Sequence, residues 1–342
     1  MVGKIQKNYK KFILLLVCLT VVTMMVSLSL GSVSIPVRNI AEIILSRIPF
    51  LGRYFPEHGP HSTIINQIRL PRILLGLLGG ISLAISGSSM QGIFKNPMAS
   101  PFILGVSAGG AFGAAVGLFY GLPPLLLPII AFLFAMGTTF TVFLLGRTHG
   151  RTDIATLLLA GLAMNFLMTA LTSLILFLGD PDDMMGIVAW TWGSLSGTIW
   201  RDVWITLPVA IIGFIIVYAF SQELNVMQTG ETSAKQLGVN VEITKIIQLM
   251  TSSLLAAVII SFTGVIGFVG LIIPHASRLI VGPDHRKLIP VSALLGGIFL
   301  MICDTIARLS GGVWIGIITG LFGVPFFIYL LIKNRGETGW GF

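Results

Sequence analysis

The chain has 342 residues, 55% of them hydrophobic and 10% charged, with a mean hydropathy of +0.95. A soluble domain carries about 25% charged residues, so this composition excludes a water-covered globule. The net charge of +8 raises the idea of a nucleic-acid partner. The basic residues are scattered between apolar runs, however, so no nucleic acid is expected, and their placement fits the Lys and Arg of cytoplasmic loops.

Lys4, Lys7, Lys10 and Lys11 precede an apolar run from Phe12 to about Leu30. The run is too long for a signal-peptide core and lacks a small-residue cleavage site, so it reads as an uncleaved first span. Further runs fall near 73–94, 102–121, 123–145, 154–178, 203–220, 246–262, 264–281, 288–306 and 313–332, which makes ten spans. About 20 residues at 1.5 Å rise cross a hydrocarbon core of ~30 Å, and a helix satisfies its own backbone there. The alternating segments of a barrel are absent. The expectation is therefore an all-α membrane protein, one transmembrane domain over 1–342.

The stretch 246–281 is too long for one crossing. Gly264, Gly267 and Gly270 sit in its middle and Pro274 follows, which predicts a turn or a broken helix. After the second span, Asn96 and Pro97 predict another break. Ten spans put both termini on one side. Assigning that side to the cytoplasm favours Lys and Arg inside by about two to one, with Arg38, Arg47, Arg53, Arg69, Arg72, Arg201 and Arg308 as outer exceptions.

Gly105, Gly109, Gly113, Gly117 and Gly121 recur every fourth position, and Gly312, Gly316 and Gly320 repeat the pattern. Such spacing lets another backbone approach one helix face. Cys18 and Cys303 both lie in apolar runs and read as small buried hydrophobes. Asp304 and Arg308, four apart, read as a local ion pair.

No GxxxxGK[ST], HExxH, CxxC or GxSxG motif occurs, so no catalytic or metal-binding residue is expected. Few ionisable residues lie within the spans, unlike many secondary transporters. The loop from about 221 to 244 is polar and of mixed charge. It holds a helix-compatible run from Glu231 to Leu237 with Gly238 placed as its terminator. Such a surface helix suits a groove on a soluble partner, and a solvated connector is the competing reading. On the fifth span, Gly161, Asn165, Thr169 and Thr172 keep small or polar groups on one face, which suits either helix packing or a polar path.

Residues 69–114, RLPRILLGLLGGISLAISGSSMQGIFKNPMASPFILGVSAGGAFGA, resemble the signature of the iron-siderophore, haem and vitamin B12 permeases of ABC importers, the FecCD and BtuC type. GETSAKQLGV (230–239), GFVGLIIPHASRLIVGPDHRKLIP (267–290) and GIITGLFGVPFFIYLL (316–331) match in family order, so the resemblance covers nearly the whole chain. It implies a homodimer of ten-helix subunits in the cell inner membrane that imports a metal chelate, with a ferric siderophore as the first expectation. Haem, cobalamin and molybdate-type cargo remain alternatives. It implies two ATPase subunits, which carry the ATP and Mg, and a substrate-binding protein outside; no cofactor is expected on this chain. By the same resemblance, Glu231, Ala234 and Gly238 belong to the element that docks into the ATPase. Arg69, Arg72 and Arg308 are docking points for acidic residues of the binding protein, for which the arginine fork is suited. Gly161, Asn165, Thr169 and Thr172 line the translocation route.

One stretch departs from the pattern. Many relatives carry an acidic-Pro step before the last span, where this chain has SGGVWIGIITG from Ser310 to Gly320. The outer end of the last helix is therefore expected to be shaped differently. Two other classes stay open on the residues alone. An ion-coupled secondary transporter would need no ATPase, and a membrane-embedded enzyme would need polar clusters that the isolated His275 and Asp304 do not supply.

Overall fold

In the computed structural model the described residues are 8–31, 33–46, 59–148 and 151–333. They build a helical bundle around one central helix. The elements are α1 (Tyr9–Ser29), α2 (Val37–Ser46), α3 (Gly59–Phe94), α4 (Val106–Phe119), α5 (Leu127–Leu145), α6 (Ile154–Leu178), α7 (Pro181–Thr191), α8 (Trp200–Ala219), α9 (Ser221–Met227), α10 (Glu231–Gln236), α11 (Val241–Thr263), α12 (Val269–Val281), α13 (His285–Leu309) and α14 (Ile315–Lys333). A hairpin of β1 (Arg147–Thr148) and β2 (Arg151–Thr152) joins α5 to α6. Among the described residues, seven helices are long and apolar enough to cross a membrane: α1, α3, α5, α6, α8, α11 and α13. Three shorter apolar helices, α4, α12 and α14, lie at the other three expected spans. Lys4, Lys7, Arg47 and Arg53 lie outside the described residues.

The α3 helix is the axis of the bundle, and every residue from Ser82 to Phe94 is buried. It packs against α8, α11, α12 and α13. Glycine permits this closeness. A β-carbon on Gly80 would collide with the Gly296 carbonyl of α13, and one on Gly87 with the Gly270 carbonyl of α12. Pro71 offers no N–H to the carbonyl four residues back, and a widened π-helical stretch at Ile64–Arg69 precedes it. The helix ends at Phe94, where Lys95 turns left-handed (φ 47°). Asn96 Oδ1 then accepts the Met98 N–H at 2.8 Å, so the expected break is an Asx turn.

The peripheral helices carry the inverse pattern. Leu14, Leu15, Val21 and Val22 of α1 and Leu159, Phe166 and Phe177 of α6 are exposed, as apolar residues are where lipid replaces water. Cys303 is buried as expected, but Cys18 is exposed on this outward face of α1 and is not part of the core.

The break in 246–281 spans Gly264 to Phe268. Gly264 (φ 69°) and Phe268 (φ 68°) are both left-handed, and α12 starts at Val269. The glycine stripe of α4 faces α5. Added β-carbons would lie 2.7 Å from the Phe134 carbonyl at Gly109 and 2.8 Å from that of Ile130 at Gly113. The stripe runs on to Gly117, where an added β-carbon would lie 2.8 Å from Leu127 of α5. Gly121 and Gly312 sit in left-handed turns with open space around them. Ahead of the last helix, Gly311 and Gly312 are both left-handed. The start of α14 is tied down by the Gly316 N–H on the Trp192 carbonyl at 2.9 Å and the Ile315 N–H on that of Gly193 at 3.1 Å.

Candidate functional site

The residues expected to dock the two kinds of partner lie at opposite ends of the bundle, because α3 and α13 run antiparallel through it. The start of α3 and the end of α13 meet at one end, and their other ends meet the loop that holds α9 and α10.

At the first end, Asp304 is 1% exposed and bracketed by two guanidiniums. Arg72 Nε and Nη2 reach Oδ1 at 2.9 and 2.8 Å, and Arg308 Nε reaches Oδ2 at 3.0 Å. The expected i, i+4 pair is present, and Arg72 is the partner that spacing along one helix cannot supply. Arg308 also donates to the carbonyls of Leu30 (2.8 Å) and Ser27 (3.0 Å) and to Ser27 Oγ (2.7 Å). Arg69 is buried and donates to the carbonyls of Leu28 at 2.6 Å and Ser29 at 3.3 Å, and to that of Val33. A helix leaves its last four carbonyls without intrahelical partners, and its C-terminus favours cations. Arg69 and Arg308 fill that role for α1, and Gly31 leaves the space that the Arg69 guanidinium occupies. Arg72, whose Nη1 reaches the exposed Ser196 Oγ at 3.2 Å, is the arginine of the three nearest the surface of this cluster.

At the other end, α10 closes as its residues predict. The Gly238 N–H donates to the Lys235 carbonyl at 3.0 Å and the Val239 N–H to that of Ala234 at 3.0 Å, with Gly238 at φ 85°. That pair of bonds is a Schellman termination, with Ala234 and Val239 in apolar contact. Ala234 is fully buried against Met227 and Val241, so it fixes the loop rather than facing outward. The outward surface carries Glu231, Thr232, Ser233 and Leu237, and Leu237 is 69% exposed.

Lys245, counted by the charge tally as an inner loop cation, is instead buried in α11. Its Nζ donates to the Thr152 carbonyl at 3.1 Å and pairs with Glu231 Oε1 at 2.5 Å, and Glu242 accepts from Thr152 Oγ1. The first residue of α10 is thereby tied to the hairpin that opens α6. Lys245→Met keeps the stem and removes the ammonium, which leaves the Thr152 carbonyl without its donor. Hydrogen exchange of the α10 amides should accelerate by about tenfold, the equivalent of one buried hydrogen bond. Unchanged protection would show that Glu231 and Lys245 do not anchor the loop.

On α6, Gly161 is buried against the Ile103 carbonyl. Asn165 Nδ2 donates to the carbonyls of Gly161 (2.8 Å), Phe102 (3.3 Å) and Ile103 (3.4 Å). Thr172 is buried with its hydroxyl on the Met168 carbonyl, while Thr169 is exposed. Three of these four residues pack α6 onto the turn at Pro101–Leu104 or onto itself. Among the described residues no cluster of His, Cys, Asp or Glu is suited to a metal ion.

Among the described residues, seven helices of membrane-spanning length and three shorter apolar ones mark a multi-pass membrane protein. The chain belongs to the FecCD transport family, whose model matches residues 19–333; it is a permease subunit of an ABC importer. It is 47% identical over 78% of its length, and 73% of the relative's, to the cobalamin import system permease protein BtuC of Halobacterium salinarum. It is 35% identical to the molybdate import system permease protein MolB of Haemophilus influenzae, over 96% of this chain and 97% of that one. Among solved structures, a metal-chelate type ABC transporter in an inward-facing conformation superposes with a TM-score of 0.83. That match has 33% identity and covers 95% of this chain and 100% of the other. Permeases of this family work with ATPases and substrate-binding proteins.

Proposed function

We propose that the chain forms a homodimer in the cell inner membrane, both termini cytoplasmic, and carries a metal chelate inward along the interface between its two copies. Two ATPase subunits dock on α10 and the residues around it, and a binding protein delivers the cargo at the Arg72–Asp304–Arg308 end. The observation that carries this reading is the C-terminally capped helix α10, a surface element tied through Lys245 that offers Leu237 and Glu231 outward at the bundle end opposite the arginines. The exposed apolar face of α6, with Thr169 on it, supports a path between copies rather than within one. A ferric siderophore is the first cargo to test. The relatives named for cobalamin and molybdate make those the next, with haem.

The test is uptake by proteoliposomes that hold the permease, its ATPase subunits and its binding protein. ATP inside should drive accumulation of one member of a panel of ferric siderophore, haem, cobalamin and molybdate. Uptake driven instead by a proton or sodium gradient without ATP would replace this reading with a secondary transporter.

The arginine end gives a second test. Arg72→Glu turns an attractive point into a repulsive one and should weaken binding-protein association by about tenfold or more, with a larger effect at low salt, where screening is weak. Equal affinity at low salt would remove Arg72 from the docking surface. Because Arg72 also neutralises the buried Asp304, Arg72→Gln, which removes the charge but keeps a donor there, separates docking from packing; Arg69→Glu first costs the packing on the end of α1.

A further inference from the structure

The loop that holds α10 has a second attachment, on the side away from Lys245. His285, the first residue of α13, is fully buried between α9 and the end of α3. Asn225 of α9 faces it twice. Asn225 Oδ1 accepts the His285 backbone N–H at 2.8 Å and lies 2.8 Å from His285 Nδ1.

The direction of that second contact follows from the neighbouring carboxylate. Burial pulls the Asp284 carboxyl up, but hydrogen bonds from the Arg286 and Asn225 side chains outweigh it and hold the group below the ordinary carboxylate range. Asp284 is therefore an anion and needs donors. Asn225 Nδ2 supplies one, at 2.7 Å from Asp284 Oδ1. The amide oxygen of Asn225 is thus the atom turned toward the imidazole, and His285 Nδ1 carries the proton.

His285 Nε2 then points at α3. A β-carbon on Gly92 would lie 2.7 Å from it, so only glycine admits the ring at this distance. Gln228, one turn beyond Asn225, donates from Nε2 to the Gly92 carbonyl at 2.9 Å. Asn225 of α9 and Gln228 at its C-terminal cap therefore grip the ends of α13 and α3, one turn apart and through separate bonds. Nothing in the substrate path or the arginine end requires a buried imidazole here.

We infer that Asn225 and His285 form a latch that makes α9 and the adjoining ends of α3 and α13 move as one piece, so that displacement of the coupling loop by the ATPases reaches the central helix. The inference rests on the reading of α10 as the ATPase dock. Within it, Asn225 and His285 are positioning residues. Glu231–Lys245 connects the same loop to the hairpin before α6, so the loop has one arm to each part of the bundle.

The test uses the whole complex with its ATPase subunits in nanodiscs and needs no cargo. In a Cys18→Ser background, Thr169→Cys on α6 reports access to a membrane-impermeant thiol reagent. Labelling rates are compared without nucleotide and after trapping with ATP and vanadate. The parent complex should show a clear nucleotide-dependent change. Asn225→Ala and His285→Ala should retain trapped nucleotide yet shrink that change by about fivefold or more, the size of coupling that intervening residues carry. His285→Asn, whose amide nitrogen stands where Nδ1 does, should restore it. A full nucleotide-dependent change in both alanine variants, or His285→Asn behaving no better than His285→Ala, overturns the latch. The coupling-loop reading fails separately: Leu237→Asp would then keep the ATPase bound.

Discussion

Asp304→Ala should be among the most damaging single substitutions in the chain. Asp304 is the only carboxylate touching Arg72 and Arg308 in the bonds described at that end, and it is 1% exposed. Its removal leaves two largely buried guanidiniums side by side with Arg69 nearby. Removing one partner of a buried ion pair costs about 3–5 kcal/mol, because the uncompensated charge stays behind. Arg308 keeps its bonds to the end of α1 and cannot leave without freeing those carbonyls. Thermal unfolding in detergent should show a fall in Tm of about 5 °C. Asp304→Asn, which keeps one acceptor oxygen, should fall between the variant and the parent. An alanine variant as stable as the parent would mean that these arginines are already solvated and that the clasp is not structural.

Gly87→Val should be worse still. The added β-carbon would sit 2.8 Å from the Gly270 Cα as well as on its carbonyl. Both obstacles are backbone, so no rotamer relieves the clash. Helices α3 and α12 would have to separate over buried surface. Overpacking that moves backbone belongs with substitutions costing more than about 4 kcal/mol. The expected readout is loss of monodisperse protein after detergent extraction. Gly121→Ala, whose added carbon meets nothing within 4 Å, is the control for handling a glycine variant, although its positive φ adds local strain. Normal recovery of Gly87→Val would show that the close approach of α3 and α12 is not a fixed feature of the fold.

The spans were legible because the solvent demands them: about 20 apolar residues and a self-satisfied backbone. The Glu231–Gly238 helix and its termination were legible for a local reason, since a left-handed glycine after a helical run needs no tertiary partner. The glycine spacing in α4 gave the packing face but not its end, because Gly121 continues the period by number while serving a turn. Helix α7 is too short and polar at its start to register as a span, although Asp180, Pro181, Asp182 and Asp183 together mark a helix start. The arginine end was half-visible. Asp304 and Arg308 are neighbours on one helix, whereas Arg72 lies 232 residues away. No periodicity shows that Arg69 spends itself on the carbonyls of α1. Lys245, Asn225 and His285 were hidden for the same reason: each acts through a contact with a distant element.

The measurement closest to the central claim is purification of this chain from membranes in mild detergent, with whatever ATPase it holds, followed by an ATP hydrolysis assay as candidate loaded binding proteins are added. The account predicts recovery of an ATPase subunit in equal number with the permease, and hydrolysis that rises with one loaded binding protein. Recovery of the permease alone across several detergents, with no ATPase and no stimulation, would contradict it.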